Sequence, residues 1–219
     1  MLLPFRNTPA HTMTLYQELR EAAKIMHKKL LSIPGIPVVD PVHVARRMTL
    51  RLAGKNVVFP TDAHRWAFYD FWLHEFPVNG VALMHSVDPQ AAGFTPLEAE
   101  LFEAHRLGRT SLFQTEAWPL DEEHCRLRDL LEPDRDALIL TEPGLCMSLE
   151  RHRKPFVLFL RILEVRGVTI SSGFSLAFAH GRGPGLAQGY HQKTKKTPPE
   201  SLSGQRFVFF YQKFRESGA

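Results

Sequence analysis

Phe156-Val157-Leu158-Phe159-Leu160-Arg161-Ile162-Leu163-Glu164-Val165-Arg166-Gly167-Val168-Thr169-Ile170-Ser171-Ser172-Gly173-Phe174-Ser175-Leu176-Ala177-Phe178 decides the reading of this chain. In its first arm Val157, Phe159 and Arg161 alternate with Leu158, Leu160 and Ile162, so both sides of a period-two pattern are apolar. A strand buried on much of both faces has that signature. Arg166-Gly167 supplies a tight turn, and Val168 to Phe178 reads as the second strand of a hairpin.

Working outward, Ser111 to Trp118, Cys125 to Leu130 and Ala137 to Leu140 are short apolar or alternating runs between charged or Gly/Pro turns, and they read as three earlier strands. Downstream, Arg206 to Phe214 puts Phe207, Phe209 and Tyr211 on one face of an extended segment and Val208 and Phe210 on the other. This is read as a sixth strand inside the sheet. Strands in this number can curl into a small barrel or stay open and pack on helices.

The first half has the other period. Leu15, Leu19, Ala22, Met26 and Leu30 recur every three or four residues from Thr14, and Ile33-Pro34-Gly35-Ile36-Pro37 should stop that helix. Asp40-Pro41 offers an N-cap and an N1 proline for a short helix to about Met48. Lys55 to Phe59 is a short strand candidate, and Thr61 or Asp62 to Glu75 is a helix with Trp66, Phe68 and Trp72 on an aromatic stripe. Thr95-Pro96-Leu97-Glu98 combines N-cap, N1 proline and capping-box glutamate, opening a helix to about Arg106. The expected fold is α+β: a helical region, 1–109, packed in one compact unit against a C-terminal antiparallel sheet or small β-barrel, 110–219.

Composition sets the class. The chain has 219 residues, 44% of them hydrophobic, enough to bury a core, and 16 Phe against 4 Tyr and 3 Trp points to rings packed inside. No apolar run approaches the roughly 18 to 20 residues of a membrane span, and Met1 to Ala10 lacks a secretory apolar segment, so a cytoplasmic protein is expected. Cys125 and Cys146 are isolated, which signals neither a disulfide framework nor a cysteine zinc site.

Charge is unevenly placed. Residues 180–219 hold seven Lys/Arg against Glu200 and Glu216, a net of +5, while the preceding residues net −1. Residues 180–204, rich in Gly, Pro, Lys and Gln, read as an extended basic loop. Arg182, Lys193, Lys195, Lys196 and Arg206 are its candidate binding residues, for a nucleic acid, a ribonucleoprotein or an acidic protein surface.

The succession Phe71-Trp72-Leu73-His74-Glu75-Phe76, Thr95-Pro96-Leu97-Glu98, Ser111-Leu112-Phe113 and Leu127-Arg128-Asp129-Leu130-Leu131 resembles a diffuse group of uncharacterised bacterial proteins, some bearing a C-terminal SEC-C zinc motif. The resemblance spans roughly Trp66 to Phe178 and implies a similar helix-then-sheet fold. The closely spaced cysteines of the zinc motif are missing here, so no zinc site and no catalytic residue is carried over.

Motifs of catalysis are thin. Asp70 and His74 share a helix face beside His64 and Glu75, and Asp121-Glu122-Glu123-His124 gathers charge in a turn. Asp129, Asp134, Asp136 and Glu142 match no common cation loop. Ser171-Ser172-Gly173 lacks a nucleophile-elbow context, and His180-Gly181-Arg182-Gly183-Pro184-Gly185 lacks the Gly-Lys-Ser/Thr of a phosphate loop. A helix-turn-helix over Asp40 to Ala53, with Arg46, Arg47 and Arg51, lacks a second helix. The expected function is therefore a binding or adaptor protein that needs no cofactor or metal. The alternative is a hydrolase or nuclease assembled from His64, Asp70, His74, His124, Asp129 and His152, and a pocket uniting several of them would favour it.

Overall fold

The hairpin at the centre of the sequence forms the spine of the sheet. In the computed structural model, which describes residues 9–33, 40–78, 80–198 and 201–218, the chain runs through helix α1 (Pro9–Leu30), helix α2 (Pro41–Arg47), strands β1 (Arg51–Ala53) and β2 (Asn56–Val58), helix α3 (Asp62–His74), strands β3 (Pro77–Val78) and β4 (Val81–Ala82), and helices α4 (Leu83–Ser86) and α5 (Pro96–Leu107). It continues with strands β5 (Arg109–Thr115), β6 (His124–Asp129) and β7 (Leu138–Thr141), helix α6 (Pro143–His152), strands β8 (Val157–Val165) and β9 (Val168–Phe178), and helices α7 (Gly183–Thr194) and α8 (Leu202–Glu216). The fold is α+β, with most helices before the main sheet.

That sheet is antiparallel throughout, in the order β7-β6-β5-β8-β9. It curls until its edge strands β7 and β9 come within 8 Å between Cα atoms, but no ladder closes them, so it is an open sheet on the way to a barrel. Alternation along β8 separates two cores. Val157 and Phe159 meet α2, α3, α7 and α8, whereas Leu158, Leu160 and Ile162 meet Cys125, Leu140, Cys146 and Leu149 under α6. A third core joins α1, α4 and α5 to Leu163, Val165, Val168 and Ile170 at the far end of the hairpin.

Local chemistry explains the helix starts that were legible. The Asp40 side chain accepts from Val42 N at 2.9 Å, and the Thr95–Glu98 capping box is complete, with Thr95 N donating to Glu98 Oε2 at 2.9 Å. Lys29 adds an ion pair to Glu98 at 2.6 Å, tying α1 to α5. The expected stop signal of α1 at Pro34 to Pro37 lies outside the described residues.

Two expectations are corrected. Arg206 to Phe214 is helical within α8, where Phe207, Phe210, Tyr211 and Phe214 recur at three and four residues and are all buried. Residues 180–204 are not an extended loop: Gly183–Thr194 forms α7, with Leu186, Ala187 and Tyr190 packed on the core, although Pro199 and Glu200 lie outside the described residues. After α2 the chain makes the β1–β2 hairpin through Gly54 at φ +64°, so no second recognition helix follows. The half after residue 109 thus carries the sheet and also α6, α7 and α8. Among the described residues no helix is long and apolar enough to cross a membrane.

Candidate functional site

One irregularity in the hairpin positions the site. Leu160 pairs with Ser175 and Ile162 with Ser171, so one residue of β8, Arg161, faces three of β9, Ser172 to Phe174, and the ladder bulges there. Gly173 takes φ +99°, a conformation side chains disfavour. The bulge turns Ser172 toward α3, where its Oγ donates to Asp70 Oδ1 at 3.0 Å.

Opposite the bulge stands Arg161, 4% exposed and the one charged residue in the buried run Val157 to Leu163 of β8. Its Nε donates to Asp70 Oδ2 at 3.1 Å, its Nη2 to Glu75 Oε1 at 2.5 Å and its Nη1 to Gly108 O at 3.0 Å. Two carboxylates thus share one guanidinium. Burial pushes the Asp70 carboxyl above its ordinary range, against the pull of Arg161 and Ser172.

One helical turn beyond Asp70, His74 Nε2 lies 3.9 Å from Asp70 Oδ1. The same nitrogen is 3.4 Å from His105 Nδ1 on α5, and the two rings stack 5.3 Å apart with planes 10° from parallel. His27 of α1 meets the His105 ring edge-on at 5.1 Å. Burial holds all three imidazoles neutral: His27 is lowered to about 4, and His74 and His105 fall well below their ordinary value, with Arg161 and neighbouring imidazoles adding to the effect. His105 is 1% exposed, and its Nε2 has no hydrogen-bond partner among the described residues.

These groups line a cavity of about 350 Å³, whose wall also includes Arg20, Leu73, Trp66, Tyr69 and Phe174. That volume and a mostly apolar lining suit a small organic molecule. A neighbouring cavity of about 500 Å³ fills the gap between β7 and β9, and Arg20 and Gly173 belong to both. There Arg20 is held by Glu142 Oε2 at 2.5 Å and Ser171 O at 2.8 Å, while Tyr16 donates to Glu142 Oε1 at 2.6 Å.

Of the six residues that a hydrolase would have gathered, Asp70 and His74 meet in the first cavity. The others are elsewhere. His64 bonds Thr61 Oγ1 at 2.8 Å and packs on Tyr211, and His124 pairs with Asp121 at 2.8 Å. Asp129 is engaged by Arg109, Ser111 and Leu131 N, and His152 packs on Phe156. Among the described residues no three His, Cys, Asp or Glu side chains are arranged to hold a metal ion.

The cationic candidates are dispersed. Arg182, Lys193, Lys195 and Lys196 are exposed around α7, with Lys193 Nζ 5.5 Å from the Phe209 ring centre. Arg206 is turned inward instead, donating to Thr110 O at 2.8 Å and lying over the Tyr190 ring. His27, His105, Arg161, Arg20 and Ser172 were not legible as a group because they come from four separate elements, α1, α5, β8 and β9. The one local sign was a charged residue, Arg161, inside an apolar strand.

Fold and site together define an α+β protein with a buried acid–base cluster beside a cavity of small-molecule size. The chain belongs to DUF7986, a family of unknown function, whose profile matches residues 10–219. No curated protein and no solved structure matches it.

Proposed function

We propose that this protein binds a small molecule in the cavity behind the β9 bulge and exchanges a proton with it through His105 and His74. One observation carries the reading: His105 is buried beside the cavity with its Nε2 unpaired. Leaving a polar atom in that condition costs about 1–3 kcal/mol, and such sites persist where the atom meets a ligand.

The geometry suits proton transfer. The proton between His105 Nδ1 and His74 Nε2 has two positions. With that proton on His105 Nδ1, Nε2 is a lone-pair acceptor; when Nε2 takes a proton from the ligand, Nδ1 passes its own to His74 Nε2, and the resulting His74 imidazolium, beside Asp70, returns it in the reverse step. Neutral imidazoles of this kind act as base or acid toward a bound molecule. Acid–base work is favoured over nucleophilic work because Ser172 Oγ donates to Asp70 and not to an imidazole.

Benzyl alcohol tests the reading, with the unfolding midpoint as readout. It should raise the midpoint of the wild-type protein and not that of Ala23→Phe, which fills the cavity from α1. No rise in the wild type, or an equal rise in both, would contradict it.

A second reading rests on the exposure of Lys193, Lys195 and Lys196 within one turn at the end of α7. In it these lysines, with Arg182, contact the phosphates of an RNA. Changing all three lysines to Glu should abolish retention on heparin and on RNA while leaving the unfolding midpoint unchanged. Unaltered retention on both matrices would remove this reading.

A further inference from the structure

We infer that the cavity takes a monocation, a small amine with an apolar body, and that Asp70 is its counter-ion. This rests on the cavity reading above and adds the charge and class of the ligand.

The first support is charge balance. Asp70 and Glu75 both lie on Arg161, so the buried cluster holds two carboxylates for one guanidinium, with His27, His74 and His105 neutral. A lone excess charge is costly away from water unless a proton or a cation balances it. The two cations on the cavity wall are already matched: Arg20 faces Glu142, and Lys24 pairs with Glu21 at 2.5 Å on the exposed side of α1.

The second support is the geometry of the carboxylate. Asp70 accepts one hydrogen bond from Ser172 and one from Arg161, and a carboxylate has about four lone-pair sites. Acceptor capacity therefore remains on a residue that lines the cavity.

The third is aromatic. Trp66, 52% exposed, and Tyr69 stand 6.5 Å apart on the same wall, a turn before Asp70 and beside it. Ring faces attract an ammonium group and tolerate an apolar body. An anionic ligand would instead meet Asp70 without an unmatched cation to receive it. Burial, which raises the Asp70 carboxyl above its ordinary range, is a desolvation cost that a bound cation would offset.

Benzylamine, benzyl alcohol and benzoate form a shape-matched set of cation, neutral molecule and anion. Calorimetric titration should rank benzylamine about tenfold tighter than benzyl alcohol, with benzoate unbound. Asp70→Asn should erase the amine preference and keep the alcohol affinity. Should Asp70→Asn not fold, Trp66→Leu at the exposed rim serves instead and should lower the amine affinity by about fivefold while leaving the alcohol within about twofold. Benzyl alcohol or benzoate binding as tightly as benzylamine overturns the charge assignment and leaves the cavity reading standing. Binding by none of the three overturns both.

Discussion

His105 Nδ1 lies 3.4 Å from His74 Nε2, the two rings stacked within 10° of parallel and both buried. The pair joins α5 to α3 through one shared proton and leaves His105 Nε2 buried without a hydrogen-bond partner among the described residues. A residue kept for folding alone would be better replaced by an apolar one.

His105→Phe removes one unpaired buried nitrogen but strips His74 Nε2 of its partner, so the two effects should offset and leave the stability within about 1 kcal/mol of the wild type. Urea unfolding gives the comparison. A loss above about 2 kcal/mol would mean the imidazole is principally a structural group.

Arg161 and Asp70 should behave asymmetrically. Arg161→Met strands two buried carboxylates and should cost about 3–5 kcal/mol, whereas Asp70→Asn leaves Arg161 with Glu75 and should cost no more than about 1 kcal/mol. Equal losses in urea unfolding would contradict the two-to-one charge count.

Acid should destabilise the protein through its imidazoles. His27 is held at about 4 against an ordinary 6.5, so the unfolded chain binds the proton first as pH falls between those values. Its contribution is present above 6.5 and disappears as pH drops toward 4, and the lowered His74 and His105 act in the same sense. Asp70, raised above 3.8, acts oppositely: its contribution is full below 3.8 and lost as pH rises through the folded value. His64 is lowered as well, so four imidazoles act in the first sense against this one carboxyl. Unfolding midpoints measured across this range should fall on acidification, and His27→Phe should flatten the fall; an unchanged slope in that variant would refute the assignment.

Gly108 should not tolerate a methyl group. A Cβ there would lie 2.7 Å from Leu163 Cδ2 and 3.1 Å from both Ala104 O and Ile162 O, beside the carbonyl that accepts from Arg161. Gly108→Ala should cost about 1–3 kcal/mol by crowding. Gly144→Ala, with open space around it in α6, should be neutral or stabilising by about 0.5–1 kcal/mol. Similar effects at the two sites would contradict the packing described here.

What could be read from the sequence was local. The β8–β9 hairpin announces itself because Val157 to Ile162 carries its pattern on adjacent residues, and α5 does so because its capping box lies within four. Phe207-Val208-Phe209-Phe210-Tyr211 satisfies strand and helix periods alike, and only Phe214, two turns on from Phe207, separates them. The glycines of α7 concealed a helix that packing of Leu186 and Tyr190 sustains. At the site, Asp70 and His74 were visible as an i,i+4 pair. Arg161, Ser172, His27 and His105 reach them only through the bulge and the packing of α1 and α5, long-range facts that no local pattern encodes.

The most direct test is nitrogen-15 NMR of the protein's histidine side chains during titration with benzylamine. The account predicts that the Nε2 and Nδ1 signals of His105 shift together with Nε2 of His74, and that the shifts vanish in Ala23→Phe. Benzylamine bound with all three signals unmoved, or not bound at all, would contradict it.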